Sequence, residues 1–186
     1  MADNRGYMQR YAMLLGTYMG VFWIMKFAFF PLGLNTPFLF LLFLGLTLCV
    51  PFMGYYYVKM FRDRICGGSI SFLRAWAFTV LVYLFAAMLT AIAHYIYFRF
   101  IDQGFIISTY QTMLANVRAS DLPGVETYLE QLSEAIDLMG ALTPTDITIQ
   151  LLSQNVFYGS LLAIPTALFV MRRRNEGVAG QTESKE

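Results

Sequence analysis

Four long apolar runs, Tyr7–Phe30, Pro37–Val58, Ala75–Phe98 and Leu151–Met171, take up about half of the chain. Each is long enough, at about 1.5 Å of rise per residue, to cross roughly 30 Å of hydrocarbon as a helix. The composition agrees: 58% of the residues are hydrophobic and only 13% charged, about half the charged share of a soluble domain. With 186 residues, four spans and the insert 102–150 leave room for a single membrane domain, 1–186, and for no separate soluble domain.

The charges sort by segment. Arg5 and Arg10 precede the first span, Lys59, Arg62, Arg64 and Arg74 lie between the second and third, and Arg172, Arg173, Arg174 and Lys185 follow the fourth. The insert carries Asp102, Asp121, Glu126, Glu130, Glu134, Asp137 and Asp146 against Arg118. The positive-inside rule then predicts both termini and the tail 172–186 in the cytoplasm and the insert outside, with Arg62, Arg64 and Arg172–Arg174 as topology anchors in a cytoplasmic (inner) membrane. The first run is too long for the apolar region of a cleaved leader, is interrupted by Lys26, and reads as an uncleaved anchor. Cys49 falls in a span and Cys66 in a loop expected to be reduced, so no disulfide is expected.

Local punctuation predicts the turns. Pro31 is expected to end the first helix, with Asn35 or Thr36 capping the second and Pro37 in its first turn. Pro51 is expected to kink the second span, and Ser69 or Ser71 to cap the third. Within the insert, Val125, Tyr128, Leu129, Leu132, Ile136 and Met139 recur at helical spacing opposite Glu126, Glu130, Glu134 and Asp137. Ile106, Tyr110, Met113 and Val117 form a weaker stripe, and Asp121, Pro123 and Gly124 mark the break between the two. The expected arrangement is a helical hairpin with its apolar faces against each other and the outer ends of the spans. Thr143-Pro144-Thr145-Asp146 has capping-box spacing, which starts the last helix near Pro144.

Small residues recur four apart: Gly16 and Gly20, Ala87 and Ala91, and Gly159, Ala163 and Ala167. They let helix backbones approach closely in lipid, either inside one bundle or across a homo-oligomer seam. Lys26 and His94 are the ionisable groups well inside the spans, at similar depth near the outer side, with Gln154 and Asn155 close to that depth. They could simply snorkel or satisfy a neighbouring backbone group. Alternatively, they line a polar vestibule for a small anion or lipid headgroup.

Other chemistry finds little footing. A single histidine, with no HExxH, GxxxxGK[ST] or GxGxxG, carries no familiar catalytic signature. The glutamate stripe has the spacing of a solvated face rather than a metal cage, so neither metal nor cofactor is expected. The few basic residues hug the span ends, which speaks against nucleic acid.

At Phe98-Arg99-Phe100-Ile101-Asp102-Gln103-Gly104-Phe105, with Gly68-Ser69-Ile70-Ser71-Phe72 before the third span and Thr143-Pro144 before the fourth, the chain resembles domain-of-unknown-function family 4199. Gln103 stands where that family often carries proline. The resemblance implies a small bacterial four-helix membrane protein and brings no catalytic residues with it.

The expected fold class is therefore all-α: a four-helix transmembrane bundle with an extracytoplasmic helical-hairpin cap between the third and fourth spans. The expected function is a non-catalytic scaffold or accessory subunit in the lipid bilayer. Its contact with a homo-oligomer partner or an unidentified membrane protein would run through the acidic cap or the short cytoplasmic loop. The alternative is a small oligomeric transporter or channel-like subunit with Lys26 and His94 in an outer vestibule.

Overall fold

In the computed structural model, which describes residues 3–120 and 124–172, the chain is all-α. Its helices are α1 (Asp3–Gly33), α2 (Pro37–Ile65), α3 (Phe72–Ile96), α4 (Phe105–Ala119), α5 (Glu126–Gly140) and α6 (Pro144–Val170). A π-helical turn, Tyr97–Ile101, carries α3 one turn further. Four helices, α1, α2, α3 and α6, are long and apolar enough to cross a membrane. Phe38, Leu41, Leu48, Phe52 and Phe169 point outward and are exposed, a surface that hydrocarbon solvates and water does not.

α3 is the central helix. It packs along α1 and α6 and touches α2, while α1 pairs with α2 and α2 with α6. Small residues make this possible. A β-carbon on Gly16 would fall 2.6 Å from the Phe85 β-carbon and 2.8 Å from the Val82 carbonyl. One on Gly20 would fall 3.0 Å from Leu89, and one on Gly159 2.9 Å from Tyr83. Ala87, Ala91, Ala163 and Ala167 are buried. The small-residue stripes thus face helices of the same chain. Tyr83, 1% exposed, meets all three other spans. It stacks on Trp23 of α1 at 5.9 Å, backs onto Gly159 of α6 and points its hydroxyl at Gly54 of α2. Below it, Phe61 and Phe78 stack face to face at 3.9 Å.

The turns follow the sequence with one correction. Pro31 does not end α1; it lies in the last turns, and the helix stops at Gly33. There the backbone of Phe40 comes so close that a β-carbon would fall 2.8 Å from it. The Thr36 N–H closes the turn on the Gly33 carbonyl at 3.2 Å. Close approach of α1 and α2, rather than the missing proline N–H, sets the stop. Thr36 and Ser71 occupy the N-cap positions of α2 and α3 without a side-chain capping bond. α2 continues through Pro51. α6 starts at Pro144 as its capping box predicts: Thr143 Oγ1 accepts from the Asp146 N–H at 3.2 Å, and Asp146 Oδ2 accepts from the Thr143 N–H at 3.1 Å.

The insert forms two helices, α4 and α5, packed against each other. Ile106, Leu114 and Ile136 are buried. The α5 stripe is covered less than its periodicity predicts: Tyr128 is 72% and Leu132 50% exposed, because a two-helix hairpin offers α5 only one neighbour to bury against. Asp121 and Pro123 lie outside the described residues. Entry into α4 is fixed by Asp102, whose buried carboxylate accepts from the Gly104 N–H at 3.1 Å, the Ile106 N–H at 3.2 Å and the Tyr97 hydroxyl at 3.3 Å. Gln103 and Gly104 turn the chain at φ 44° and 83°.

At the opposite end Arg62, expected as a topology anchor, is buried and clasps the end of α6. Its Nη1 donates to the Val170 carbonyl at 3.1 Å, where α6 ends, and its Nε donates to Asp63 at 2.7 Å. A cation there satisfies a helix carbonyl left without an intrahelical partner. Arg172 pairs with Ile70 through two backbone hydrogen bonds of 3.0 Å. Arg64 is exposed, and Arg173 and Arg174 lie outside the described residues.

A cationic chamber beside the insert

The face of α1 that carries Trp23, Lys26 and Phe30 turns inward near the insert end of the bundle. There it meets Phe43 of α2, Thr90 and His94 of α3, and Leu151 and Asn155 of α6 around a cavity of about 230 Å³. Lys26, His94 and Asn155, read from the sequence as polar groups at one depth, thus line one chamber. Gln154 does not; one residue round the helix, it lines a neighbouring chamber instead.

The chamber is built from rings around one ammonium. Lys26 Nζ lies 5.8 Å from the Trp23 ring centre and 5.6 Å from that of Phe43, within the range in which an aromatic face attracts a cation. No acidic side chain lines the cavity. Among the described residues, Lys26 has no carboxylate within ion-pair reach. His94 is held edge-on by Phe27 at 4.3 Å. Two buried nitrogens, Trp23 Nε1 and His94 Nδ1, find no hydrogen-bond partner among the described residues. Both side chains are more than nine-tenths buried, at 6% and 5% exposure. Each unmet polar group of this kind costs about 1–3 kcal/mol in the interior.

Phe27 is the shared wall of three spaces. Besides the chamber, it lines a groove of about 860 Å³ against Leu39, Ala93 and Ile96. It also lines a second chamber of about 300 Å³ under the α4–α5 hairpin. That second chamber shares Phe27, Phe30 and Leu151 with the first and adds Ile106, Ile107, Tyr110, Met139, Ile147 and Gln154. Burial raises the Tyr110 phenol above its ordinary range, so it remains a hydrogen-bond donor at neutral pH. Among the described residues no group of three His, Cys, Asp or Glu is placed to hold a metal ion.

Trp23, Phe27, Phe30, Phe43, Thr90 and Leu151 are the chamber residues that the sequence reading did not single out. The signal was present for α1 alone: Trp23, Lys26, Phe27 and Phe30 follow the spacing of one helix face.

A family model described as "Protein of unknown function (DUF4199)" matches residues 14–172. The chain belongs to that family. No curated protein and no solved structure matches it.

Proposed function

We propose that this DUF4199 protein is a non-catalytic accessory subunit of the inner membrane that binds an anionic group in the Lys26 chamber. In this reading both termini are cytoplasmic and the α4–α5 hairpin is outside, as the distribution of arginines and carboxylates favours. The observation that carries the binding role is a cavity lined by Lys26, His94 and Asn155 in which, among the described residues, the ammonium has no acidic partner. An intramembrane cation is costly unless something compensates it. A small anion that accepts from Lys26 and Asn155 meets that need.

Binding is favoured over conduction by the packing below the chamber. Tyr83, Phe78 and Phe61 are buried and fill the bundle between the chamber and the Arg62 end. The test is equilibrium binding of small carboxylates to the purified chain in nanodiscs, alongside flux in proteoliposomes. Saturable binding lost in Lys26→Gln, with no flux above empty vesicles, is the expected result. Carboxylate flux through the protein would favour the transporter reading instead.

A scaffold role has its own support. Tyr128, Leu132 and Leu138 of α5 are exposed beside the carboxylates of Glu130 and Glu134, a mixed surface of the kind that meets another protein. Stoichiometric co-purification of a membrane protein, lost when α5 is made uniformly polar, is the corresponding test.

A further inference from the structure

The chamber and the cavity under the hairpin share three walls, and they differ in chemistry in a way that describes a ligand. The first is lined by Lys26, His94 and Asn155. The second is mainly apolar, with Phe98, Ile106, Ile107, Met139 and Leu142, and has Asp102, Tyr110, Gln150 and Gln154 as its polar lining. Along α6, Asn155 in the first and Ile147 in the second are eight residues apart in sequence, about 12 Å of helix rise. Phe27 and Phe30, stacked at 6.3 Å, line both.

We propose that the two chambers are one site for a single-chain carboxylate of medium length, its head at Lys26 and its chain under the α4–α5 hairpin. This rests on the anion-binding reading above and adds the ligand class. The charge argues for a carboxylate rather than a phosphate monoester. One lysine and neutral donors compensate one negative charge, and a second charge would be buried unpaired. A single chain suits the shape, because Phe27, Phe30 and Leu151 line both chambers and a ligand that spans them passes between these side chains. The apolar lining of the hairpin then has a role that folding alone does not give it: it keeps a chain out of water next to the membrane surface.

Trp23 reports on the head end. The chain has two tryptophans, and Trp76 lies near the start of α3, at the opposite end of that helix from His94, with its Nε1 on the Ser160 carbonyl at 3.4 Å. The experiment uses the full chain with Trp76→Phe in nanodiscs and titrates butyrate, decanoate and decanol while following Trp23 fluorescence. Decanoate should bind at least tenfold more tightly than butyrate. Decanol should bind at least tenfold more weakly than decanoate, and Lys26→Gln should remove both carboxylate responses. Narrowing the second chamber with Ile107→Phe should bring decanoate down to the butyrate level while leaving butyrate unchanged. Gln154→Phe, at an exposed position on the same wall, should do likewise and replaces Ile107→Phe if that variant does not fold. Equal affinity for butyrate and decanoate overturns the proposed chain site and leaves the anion site standing. No response to either carboxylate, or an equal response to decanol, overturns both.

Discussion

The hydroxyl of Tyr83 occupies the space that a β-carbon on Gly54 would need. Helix α2 reaches the centre of the bundle only because residue 54 has no side chain, and the hydroxyl there has no hydrogen-bond partner among the described residues. Gly54→Ala should therefore destabilise the protein by about 1–3 kcal/mol, the usual cost of overpacking. Tyr83→Phe removes both the obstruction and an unsatisfied buried group, and should be neutral or stabilising. The double variant should recover most of the loss. Thermal unfolding in nanodiscs of the four members of this cycle gives the coupling directly; additive effects would contradict the contact.

Glycine should be needed at some helix positions and dispensable at others. Gly16→Ala pushes a methyl into the Val82 carbonyl and the Phe85 β-carbon, and neither can swing away. A loss of about 2 kcal/mol or more is expected. Gly45, also in an apolar helix, has nothing within 4 Å of its ideal β-carbon. Gly45→Ala should gain up to about 1 kcal/mol from helix propensity. Melting temperatures moving in opposite directions would support packing against α3. An unchanged melting temperature with a changed oligomeric state for Gly16→Ala would move this face to a seam between copies.

The Asp102 corner should hold the hairpin to α3. Asp102→Ala releases two backbone N–H groups and the Tyr97 hydroxyl together, a loss of about 1–3 kcal/mol. Limited proteolysis should then cut within 102–105 faster than in the parent chain. Gln103 sits at φ 44°, a region that costs a residue with a β-carbon roughly 1–2 kcal/mol. Gln103→Gly should slow the same cleavage. Gln103→Pro, with φ held near −65°, should accelerate it.

Topology can be read by labelling. A membrane-impermeant maleimide applied to intact cells should modify Glu130→Cys and spare Arg64→Cys, and lysis should expose the second. The native Cys49 and Cys66, both free thiols, are replaced by serine in each variant so that the introduced cysteine alone reports. Labelling of Arg64→Cys alone in intact cells would invert the orientation.

Elements that announce themselves at their ends were legible in the sequence. The Thr143–Asp146 capping box placed the start of α6, and the Pro37 signal placed that of α2. The stripe Ile106, Tyr110, Met113 and Val117 and the one from Val125 to Met139 placed α4 and α5 in outline, though Leu114, buried in α4, belonged to neither. What the sequence hid was the phase of the spans. A helix that is apolar all round has no hydrophobic face to read, so nothing marked Tyr83 as the residue that meets three neighbours, or Phe43 and Thr90 as walls of the chamber. Lys26, His94 and Asn155 were visible because a polar atom in an apolar run carries its own contrast. The partner of Arg62 was hidden for a related reason: nothing in the sequence points to the Val170 carbonyl, 108 residues away, that its guanidinium meets.

The central position of α3 also bears on synthesis. α1 and α2 emerge first, yet the glycines that allow close approach on each, Gly16 and Gly20 on one and Gly54 on the other, are complementary to side chains of a helix not yet made. Until α3 leaves the ribosome, the leading pair has only its mutual contact and the Gly33 turn to hold it together. The nascent protein must therefore pass through a stage in which these grooves are open to lipid, and the arrival of the third helix converts a loose pair into a committed bundle.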